Sequence, residues 1–429
     1  MQKVGNYRWT ICALVFFATT INYLDRQVIS LLKSSLEEEF NWSESDYGNI
    51  VIAFQLSYAF GLLFAGRFID KIGTKMGYAV ATVTWSIAAI GHALANSTLG
   101  FSIARAFLGV TEAGNFPSAI KATAEWFPKK ERALATGIFN SGTNIGAIVA
   151  PLTVPLIAEV WGWRWAFIIT GAIGFIWLVL WFLFYEVPAK HKKLSKAEFD
   201  YIHSDAPEEA QQEVQESVSW AKLLTFKQTW AFAVGKFLTD PVWWFYLFWT
   251  PAFLKAEYKM EGTAVAIPIA LLYTISTVGS IYGGYLPLRF VNQGWTVFKS
   301  RRTAMLIYAF CAVPVIFAQY LGSINMWLAI LIIGIAAAGH QAWSANIFTT
   351  VSDMFPKKAV GSIVGIGGMA GAIGGVLIAK IGPALFDYYK AQGHIQTGYY
   401  IMFFVCGFAY LAAWFIMRTL VPKMKPVEI

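Results

Sequence analysis

Apolar residues in this chain gather into long blocks that short polar connections separate. An α-helix needs about 20 mostly apolar residues to cross the hydrocarbon core of a bilayer, and twelve blocks approach or exceed that length. The pattern therefore predicts an all-α membrane protein with twelve transmembrane helices. Their approximate bounds are 9–29, 47–66, 77–95, 99–118, 134–157, 165–185, 229–253, 264–287, 303–321, 325–350, 360–381 and 398–419.

The first block begins after Lys3 and Arg8, as a signal peptide would. It contains Asn22 and the adjacent charges Asp25 and Arg26, and no small-residue cleavage site follows it. A removable secretory signal has an uninterrupted apolar region and such a cleavage site. We therefore predict that this block is a retained span.

One long polar stretch, residues 187–227, interrupts the pattern. It divides the chain into an N-terminal bundle of six spans (1–186) and a C-terminal bundle of six spans (228–429), so we predict that it is a linker. Ser195 and Glu198 have capping-box spacing, which predicts a short surface helix within the linker. The acidic, Gln-rich run 208–216 is predicted to be a solvated loop.

Composition supports a membrane location. The chain of 429 residues is 57% hydrophobic and only 14% charged, whereas an ordinary soluble domain is about 25% charged. The net charge of +8 is spread over short loops, so it does not indicate a nucleic-acid partner. Three cysteines, all within apolar blocks, form neither a disulfide framework nor a metal-ligand pattern. We expect no metal and no cofactor.

The short loops also predict an orientation. The loops after spans two, four, eight and ten hold thirteen Lys and Arg residues, whereas the loops on the opposite side hold five. Because basic loops remain on the cytoplasmic side, the first set is predicted to be cytoplasmic. An even number of spans then places both termini in the cytoplasm.

The two halves share an internal repeat. The segment Phe127-Pro128-Lys129-Lys130 recurs as residues 355–358, an offset of 228. The same offset carries Gly137 onto Gly365 and Glu112 onto His340. A duplication of this kind predicts two pseudo-symmetric bundles that rock about a shared central site, a recurring transporter design.

Several motifs resemble a known family. Residues 66–75, Gly-Arg-Phe-Ile-Asp-Lys-Ile-Gly-Thr-Lys, resemble the loop between the second and third helices of the major facilitator superfamily. Residues 22–26, Arg105 with 112–117, and 125–132 resemble its anion:cation symporter branch. Residues 236–241, 283–287 and 340–355 are most similar to the bacterial hexuronate transporters of that branch.

This resemblance implies a proton-coupled symporter that moves a monovalent sugar acid, such as glucuronate or galacturonate, by alternating access. The proton would be the coupling ion, and the chain would be a monomer in a bacterial inner membrane and not an enzyme. Asp25 resembles the acid of galactonate-type members, which hexuronate members need not carry. The alternative is therefore a symporter of galactonate or another organic anion, such as another aldonate or a dicarboxylate.

The expected proton-coupling residues are ionisable groups in apolar helices, where a charge is costly. Glu112 is the first candidate for the proton carrier because burial disfavours its charged form. Arg105 lies two helical turns before it and would modulate its proton affinity. In galactonate-type relatives the acid that matches Asp25 takes part in coupling. His340 is expected either to titrate, to donate to sugar hydroxyls, or to be satisfied locally.

The expected substrate-binding residues include two cations. Arg26 suits a carboxylate because its planar fork donates two parallel hydrogen bonds, and Lys236 would contribute a second cation from the other half. Lys236 and Asp240, at i and i+4, form the alternative of a structural pair. We expect the Trp243-Trp244 pair to pack in the core or mark the membrane interface. Further candidates for the sugar are Gln341, Trp343, Asn346, Tyr23, Tyr58, Asn140 and Asn144, and those for gating are Arg67, Asp70 and Lys71.

Overall fold

In a computed structural model, the chain is described for residues 4–204, 218–260, 266–423 and 425–427, and no strand occurs within these ranges. Each of the twelve predicted blocks is helical. The α-helices are α1 (Tyr7–Leu31), α2 (Lys33–Phe40), α3 (Glu44–Ile72), α4 (Thr74–Gly91), α5 (Thr98–Glu112), α6 (Asn115–Trp126), α7 (Lys129–Trp161), α8 (Trp163–Phe184), α9 (Lys196–Ile202), α10 (Trp220–Leu223), α11 (Lys227–Tyr258), α12 (Ala266–Asn292), α13 (Val297–Ala312), α14 (Ala318–Ile324), α15 (Met326–Met354), α16 (Lys357–Ala391) and α17 (Ile395–Leu420).

Two predicted spans are divided in the structure. The fourth is α5 followed by α6, and the ninth is α13 and α14 joined by a 3₁₀ turn at Val313–Phe317. Within the described ranges, nine helical segments are long and apolar enough to cross a membrane. The three predicted spans that do not meet this test are α1, the α5–α6 pair and α11. These three carry the charged candidates Asp25, Arg105 and Lys236.

The internal repeat is visible in the helix ends. The helices α6 and α15 end at Trp126 and Met354, and α7 and α16 begin at Lys129 and Lys357. Both pairs are related by the offset found in the sequence. Pro128 and Pro356 precede the second pair of helices with nearly equal backbone angles, φ −63° and ψ 151° against φ −64° and ψ 150°. The predicted repeat is therefore confirmed at the level of local structure.

The two halves meet along two symmetry-related helix pairs, α7 with α12 and α16 with α3. A Cβ atom on Gly137 of α7 would lie 2.3 Å from the carbonyl oxygen of Ser280, and one on Gly365 of α16 would lie 2.3 Å from that of Leu62. Only glycine permits backbones to approach this closely. The repeated glycines therefore form the same close contact twice.

One end of the bundle is closed by polar contacts between the halves. The carboxylate of Asp70 accepts hydrogen bonds from the backbone N–H groups of Gly361 at 3.1 Å and Ser362 at 2.6 Å, and it pairs with Lys121 at 3.0 Å. Arg132 donates to the carbonyl of Ser352 at 2.5 Å. This is the end that carries the basic loops, which the sequence predicts to be cytoplasmic.

The three residues expected to act in gating are placed differently. Asp70 lies within the closure between the halves. Arg67 donates to the carbonyl of Val218 at 3.0 Å, next to the linker helix α10. Lys71 is exposed. Of the three, Asp70 is thus the one with hydrogen bonds to the opposite half in the described part of the chain.

Part of the predicted linker folds onto the N-terminal half. Ser195 caps α9 by accepting from the N–H of Glu198 at 3.2 Å, as the spacing predicts. The Glu198 carboxylate does not return to Ser195; it accepts from the backbone and guanidinium of Arg8, at 3.0 and 3.2 Å. The capping box is therefore half formed, because a buried cation attracts the carboxylate more strongly. The acidic run 208–216 lies outside the described residues.

Candidate functional site

A cavity of about 80 Å³ lies between the two halves, near the midpoints of α3 and α15. This volume has room for several waters, and so for a polar group of a small solute. Polar and aromatic side chains from both halves surround it. They include Tyr23, Arg26, Tyr58, Phe116, Asn140 and Thr143 from the N-terminal half and Lys236, Asp240, Trp243, Trp244, His340, Gln341, Ser344 and Phe348 from the C-terminal half.

Arg26 is the cation that the N-terminal half contributes to the cavity. Its guanidinium pairs with the Glu112 carboxylate, with Nε at 3.0 Å and Nη2 at 2.9 Å from Oε2. Aromatic rings surround it, with the centroids of Tyr23 and Tyr58 at 4.6 and 4.7 Å from Cζ and that of Phe54 at 5.0 Å. These rings stabilise the cation by cation–π attraction and hold its planar group at the cavity wall.

Glu112 lies behind Arg26, away from the cavity surface. It is fully buried at the end of α5, and its second oxygen, Oε1, has no hydrogen-bond partner in the described part of the chain. Arg105 donates to the backbone carbonyl of Arg26 at 3.4 Å and lies over Phe54 at 4.5 Å. Arg105 and Glu112 are thus both hydrogen-bonded to Arg26.

Asp25 is also buried but points away from the cavity. Thr170 of α8 is a polar neighbour of its carboxyl group. Among the described residues neither carboxylate oxygen has a close hydrogen-bond partner. Asp25 and Arg26 thus face different surroundings, as adjacent residues on a helix must.

Lys236 is the cation that the C-terminal half contributes to the cavity. Its ammonium pairs with Asp240 at 2.8 Å within α11 and lies 4.2 Å from the ring centroid of Phe348. The expected i and i+4 pair is present, and both members line the cavity. Lys236 and Asp240 therefore pair with each other and also belong to the site.

His340 and Trp243 form one aromatic wall of the cavity. Their rings are stacked, with centroids 5.1 Å apart and an interplanar angle of 11°. The Nδ1 atom of His340 lies 2.6 Å from the hydroxyl of Tyr410. This contact and the stacking fix the ring plane and leave its other edge free to face the cavity.

Two amides connect the halves across the cavity. Asn140 donates to the side-chain oxygen of Gln341 at 2.7 Å and to the hydroxyl of Ser280 at 3.2 Å. Gln341 in turn donates to Asn144 at 3.3 Å. A solute with hydroxyl groups can replace such contacts one for one, because amides both donate and accept.

Three predicted substrate residues lie outside this cavity. Trp343 is fully buried against Tyr410, and Asn346 donates to the carbonyl groups of Gly283 and Ala342 at 2.7 and 2.9 Å. Asn144 is buried behind Gln341. The helix period explains the difference, because His340, Gln341 and Ser344 occupy the cavity face of α15 whereas residues 343 and 346 point elsewhere.

Other cavity residues were not predicted from the sequence. Trp243 and Trp244 were expected to pack the core or mark the interface, but both line the cavity. Thr143, Ser344 and Phe348 are also present. The helical period could have identified these three, because residues three or four apart share one face of a helix. Thr143 is three residues after Asn140, Ser344 is three after Gln341, and Phe348 is four after Ser344.

The cavity continues toward the end of the bundle that is not closed. A second cavity of about 350 Å³ shares Tyr58, Trp244 and Ala372 with the first and is otherwise largely apolar. It is bounded by α3, α11 and α16. The second cavity thus lies on the side of the site opposite the contacts of Asp70 and Arg132.

The site contains two ion pairs. Arg26 with Glu112 and Lys236 with Asp240 make one ion pair in each half. An anion that enters must compete with a carboxylate for its cation, and protonation of that carboxylate would release the cation's donors. The arrangement thus offers cations and hydrogen-bonding groups of the kind that suit a hydroxylated anion.

Comparisons with known proteins are consistent with this geometry. Residues 15–379 match the family model described as Major Facilitator Superfamily. The chain is 34% identical over 388 residues to the hexuronate transporter of Escherichia coli K12, covering 90% of this chain and 89% of that protein. It is 35% identical over 290 residues to the galacturonate transporter of Dickeya chrysanthemi, covering 68% and 84%.

Among solved structures, the proton:xylose symporter XylE bound to 6-bromo-6-deoxy-D-glucose superimposes with a TM-score of 0.76. The alignment covers 98% of this chain and 97% of that one at 17% identity. At this level of identity the likeness concerns the fold alone. It confirms the predicted all-α membrane fold class.

Proposed function

We propose that this chain, which belongs to the Major Facilitator Superfamily, imports a monovalent sugar acid of the hexuronate type together with protons. The chain is a multi-pass integral membrane transporter and not an enzyme. The finer assignment rests on one observation above all. Arg26 and Lys236, one cation from each half, line a cavity whose remaining polar groups suit sugar hydroxyls.

The relatives support the substrate class. The hexuronate and galacturonate transporters are both named for sugar acids, and they are 34% and 35% identical to this chain. A hexuronate presents one carboxylate, several hydroxyls and a ring face. Arg26 or Lys236 would bind the carboxylate, Asn140 and Gln341 the hydroxyls, and Trp243 the ring face. The runner-up substrates, galactonate or a dicarboxylate, use the same groups.

Proton coupling follows from the competition for Arg26. While Glu112 is charged it holds the guanidinium at 2.9 Å. A proton on Glu112 removes that attraction, so the guanidinium becomes available to the substrate carboxylate. Release of the proton restores the ion pair and expels the anion. Binding of anion and proton is therefore mutually favourable, which is the requirement for coupled binding.

The conformational step we propose is alternating access. We assign the chain as described to an outward-facing form, because polar contacts between the halves close the end predicted to be cytoplasmic and the second cavity lies toward the other end. The two glycine-lined helix pairs, α7 with α12 and α16 with α3, allow one half to rotate against the other. We further propose a bacterial inner membrane location with both termini cytoplasmic, and a monomeric transporter.

The stoichiometry is open to measurement. One proton with one monovalent anion moves no net charge. Two protons, carried by Glu112 and Asp25, would move one positive charge per cycle, worth about 2.3 kcal/mol per 100 mV. Uptake into proteoliposomes at a fixed pH gradient and varied membrane potential separates the two cases. Uptake that does not respond to voltage refutes the two-proton version.

A competition assay tests the substrate assignment. Uptake of labelled glucuronate into proteoliposomes is measured with excess galacturonate, galactonate, galactarate or neutral glucose. We expect strong inhibition by the hexuronates and weak inhibition by glucose, because glucose lacks the carboxylate that pairs with Arg26 or Lys236. Inhibition by glucose equal to that by the acids would refute the anion assignment.

Glu112→Gln tests the coupling role. Glutamine imitates the protonated carboxyl, so we expect substrate exchange at zero gradient to persist while pH-driven accumulation is lost. Glu125→Gln is the matched control, since Glu125 accepts bonds from Thr74 and Tyr185 away from the cavity. It should retain accumulation. Undiminished pH-driven accumulation in Glu112→Gln would remove Glu112 from the mechanism.

A further inference from the structure

A second group of cations lies outside the transport cavity, at the closed end of the C-terminal half. Two adjoining cavities of about 50 and 390 Å³ share Phe298, Arg302, Trp414 and Arg418 and together form a groove between α13 and α17. We call this the α13–α17 groove. The transport mechanism uses none of these four residues.

The groove is basic at its rim. The guanidinium carbons of Arg302 and Arg418 lie 5.8 and 5.2 Å from the ring centroid of Trp414, on which both cations rest. Arg302 also donates to the carbonyl of Pro422 at 2.8 Å, and Lys299 lines the outer cavity. Within the described ranges, none of these three cations forms an ion pair with a carboxylate.

The N-terminal half contains the symmetry-related position, which serves as an internal reference. The indole N–H of Trp414 donates to the carbonyl of Arg302 at 3.0 Å, and that of Trp181 donates to the carbonyl of Lys75 at 2.9 Å. The pairs occupy equivalent helices, α13 with α17 and α4 with α8. Arg302 thus corresponds to Lys75. Arg418, four residues after Trp414, corresponds to Tyr185, four residues after Trp181.

In the N-terminal half, the cation at this position is paired with a carboxylate, and an aromatic ring fills the space beside it. Lys75 pairs with Glu186 at 2.7 Å. Tyr185 stacks on Trp181 with centroids 3.9 Å apart, and both rings are buried. In the C-terminal half an arginine replaces the tyrosine, Thr419 follows it where Glu186 follows Tyr185, and the groove stays open. The equivalent pair of helices is thus electrically neutral and closely packed in the N-terminal half. In the C-terminal half it is basic and forms an open groove.

The groove walls are apolar below the cations. Met305, Met417 and Phe232 line its inner part, and Ile307 and Phe310 continue the apolar surface along the exposed face of α13. A ligand that matches both parts carries an anionic phosphate at one end and a hydrocarbon chain at the other. Basic pockets between transmembrane helices at the membrane surface are suited to anionic lipid headgroups.

We propose that the α13–α17 groove binds one anionic phospholipid. Its phosphate lies between Arg302 and Arg418, with Lys299 at the outer edge, and one acyl chain lies along Met305 and Met417. Trp414 supports the two guanidinium groups from below. Charge complementarity selects this occupant over a neutral lipid.

Native mass spectrometry of the full chain in detergent, titrated with phosphatidylglycerol or phosphatidylcholine, tests the proposal. A surface cation contributes about fivefold to the binding of anionic lipid. We therefore expect Arg302→Gln/Arg418→Gln to weaken phosphatidylglycerol binding about thirtyfold. The control Arg289→Gln/Lys193→Gln removes two exposed cations elsewhere at the same end and should leave binding unchanged.

A charge-conserving variant, Arg302→Lys/Arg418→Lys, should keep most of the affinity and guards against a loss of folding. Equal binding of phosphatidylcholine, or unchanged affinity in the glutamine variant, overturns the proposal. Displacement of the lipid by millimolar inorganic phosphate would indicate a free-anion site and also overturns it. Binding that rises when the glutamates of 205–217 become glutamine would identify this segment as the occupant instead.

Discussion

Gly66→Ala should open the closed end of the bundle. Gly66 of α3 packs against the backbone of α16, where a Cβ atom would lie 2.1 Å from the carbonyl oxygen of Gly361 and 3.2 Å from the Cα of Ser362. Ordinary contact begins at 3.4 Å, so the methyl group lies more than an ångström too close to that oxygen. The obstructing atoms belong to a helix backbone, which cannot turn aside as a side chain can.

The magnitude follows from what a separation of this size breaks. Asp70 accepts from the N–H groups of Ser362 at 2.6 Å and Gly361 at 3.1 Å. A displacement that restores ordinary contact carries both beyond hydrogen-bond distance. Overpacking costs about 1–3 kcal/mol, and each bond to a charged group contributes about 1.5–3 kcal/mol. Partial relaxation reduces the sum, and we expect the closed form to lose about 3 kcal/mol, a shift of roughly a hundredfold in population.

Double electron–electron resonance between spin labels at Met76→Cys and Arg289→Cys, one in each half at this end, measures the separation. The native cysteines are replaced by serine beforehand. We expect the distance distribution of Gly66→Ala to shift to longer values. Gly91→Ala is the control, because no atom lies within 4 Å of its Cβ position. An unchanged distribution in Gly66→Ala would refute the argument from backbone contact.

Two further predictions concern hydrogen bonds and ion pairs. Gln341→Ala removes the acceptor of the Asn140 amide and should raise the KM of uptake about five- to tenfold, as expected for a partly orphaned polar group; an unchanged KM contradicts a substrate role. Arg8→Gln leaves Glu131 and Glu198 without their buried cation. It should destabilise the chain by about 3 kcal/mol and expose the linker to trypsin, whereas an unchanged cleavage rate would contradict docking through Arg8.

Much of the fold was predictable because the bilayer imposes a length on each helix. Every predicted block is helical, and the offset of the internal repeat recurs between the starts of α7 and α16, although these helices begin at Lys129 and Lys357, before the predicted 134 and 360. The break between α5 and α6 at Gly114 was not predicted. It depends on tertiary packing, since a Cβ atom on Gly114 would approach that of Ala81 to 2.6 Å.

Part of the candidate site was predictable because ionisable residues are rare within apolar helices. Arg26, Lys236 and His340 are conspicuous in apolar helices, and all three line the cavity. Trp243 and Trp244 were assigned to packing because an aromatic residue in a membrane helix most often packs. Trp243 stacks on His340, and both tryptophans line the cavity. Trp343 was predicted to bind the substrate because of its residue type, but its position on α15 directs its side chain away from the cavity.

The two ion pairs of the cavity differ in what they join. Arg26 and Glu112 connect α1 to α5, whereas Lys236 and Asp240 lie one turn apart on α11. Under the proposed mechanism, loss of charge on Glu112 removes an ion pair between two helices, whereas loss of charge on Asp240 removes one within a single helix. The proposed coupling would therefore make the N-terminal half a transducer of protonation into helix movement, with the C-terminal pair as an electrostatic clamp.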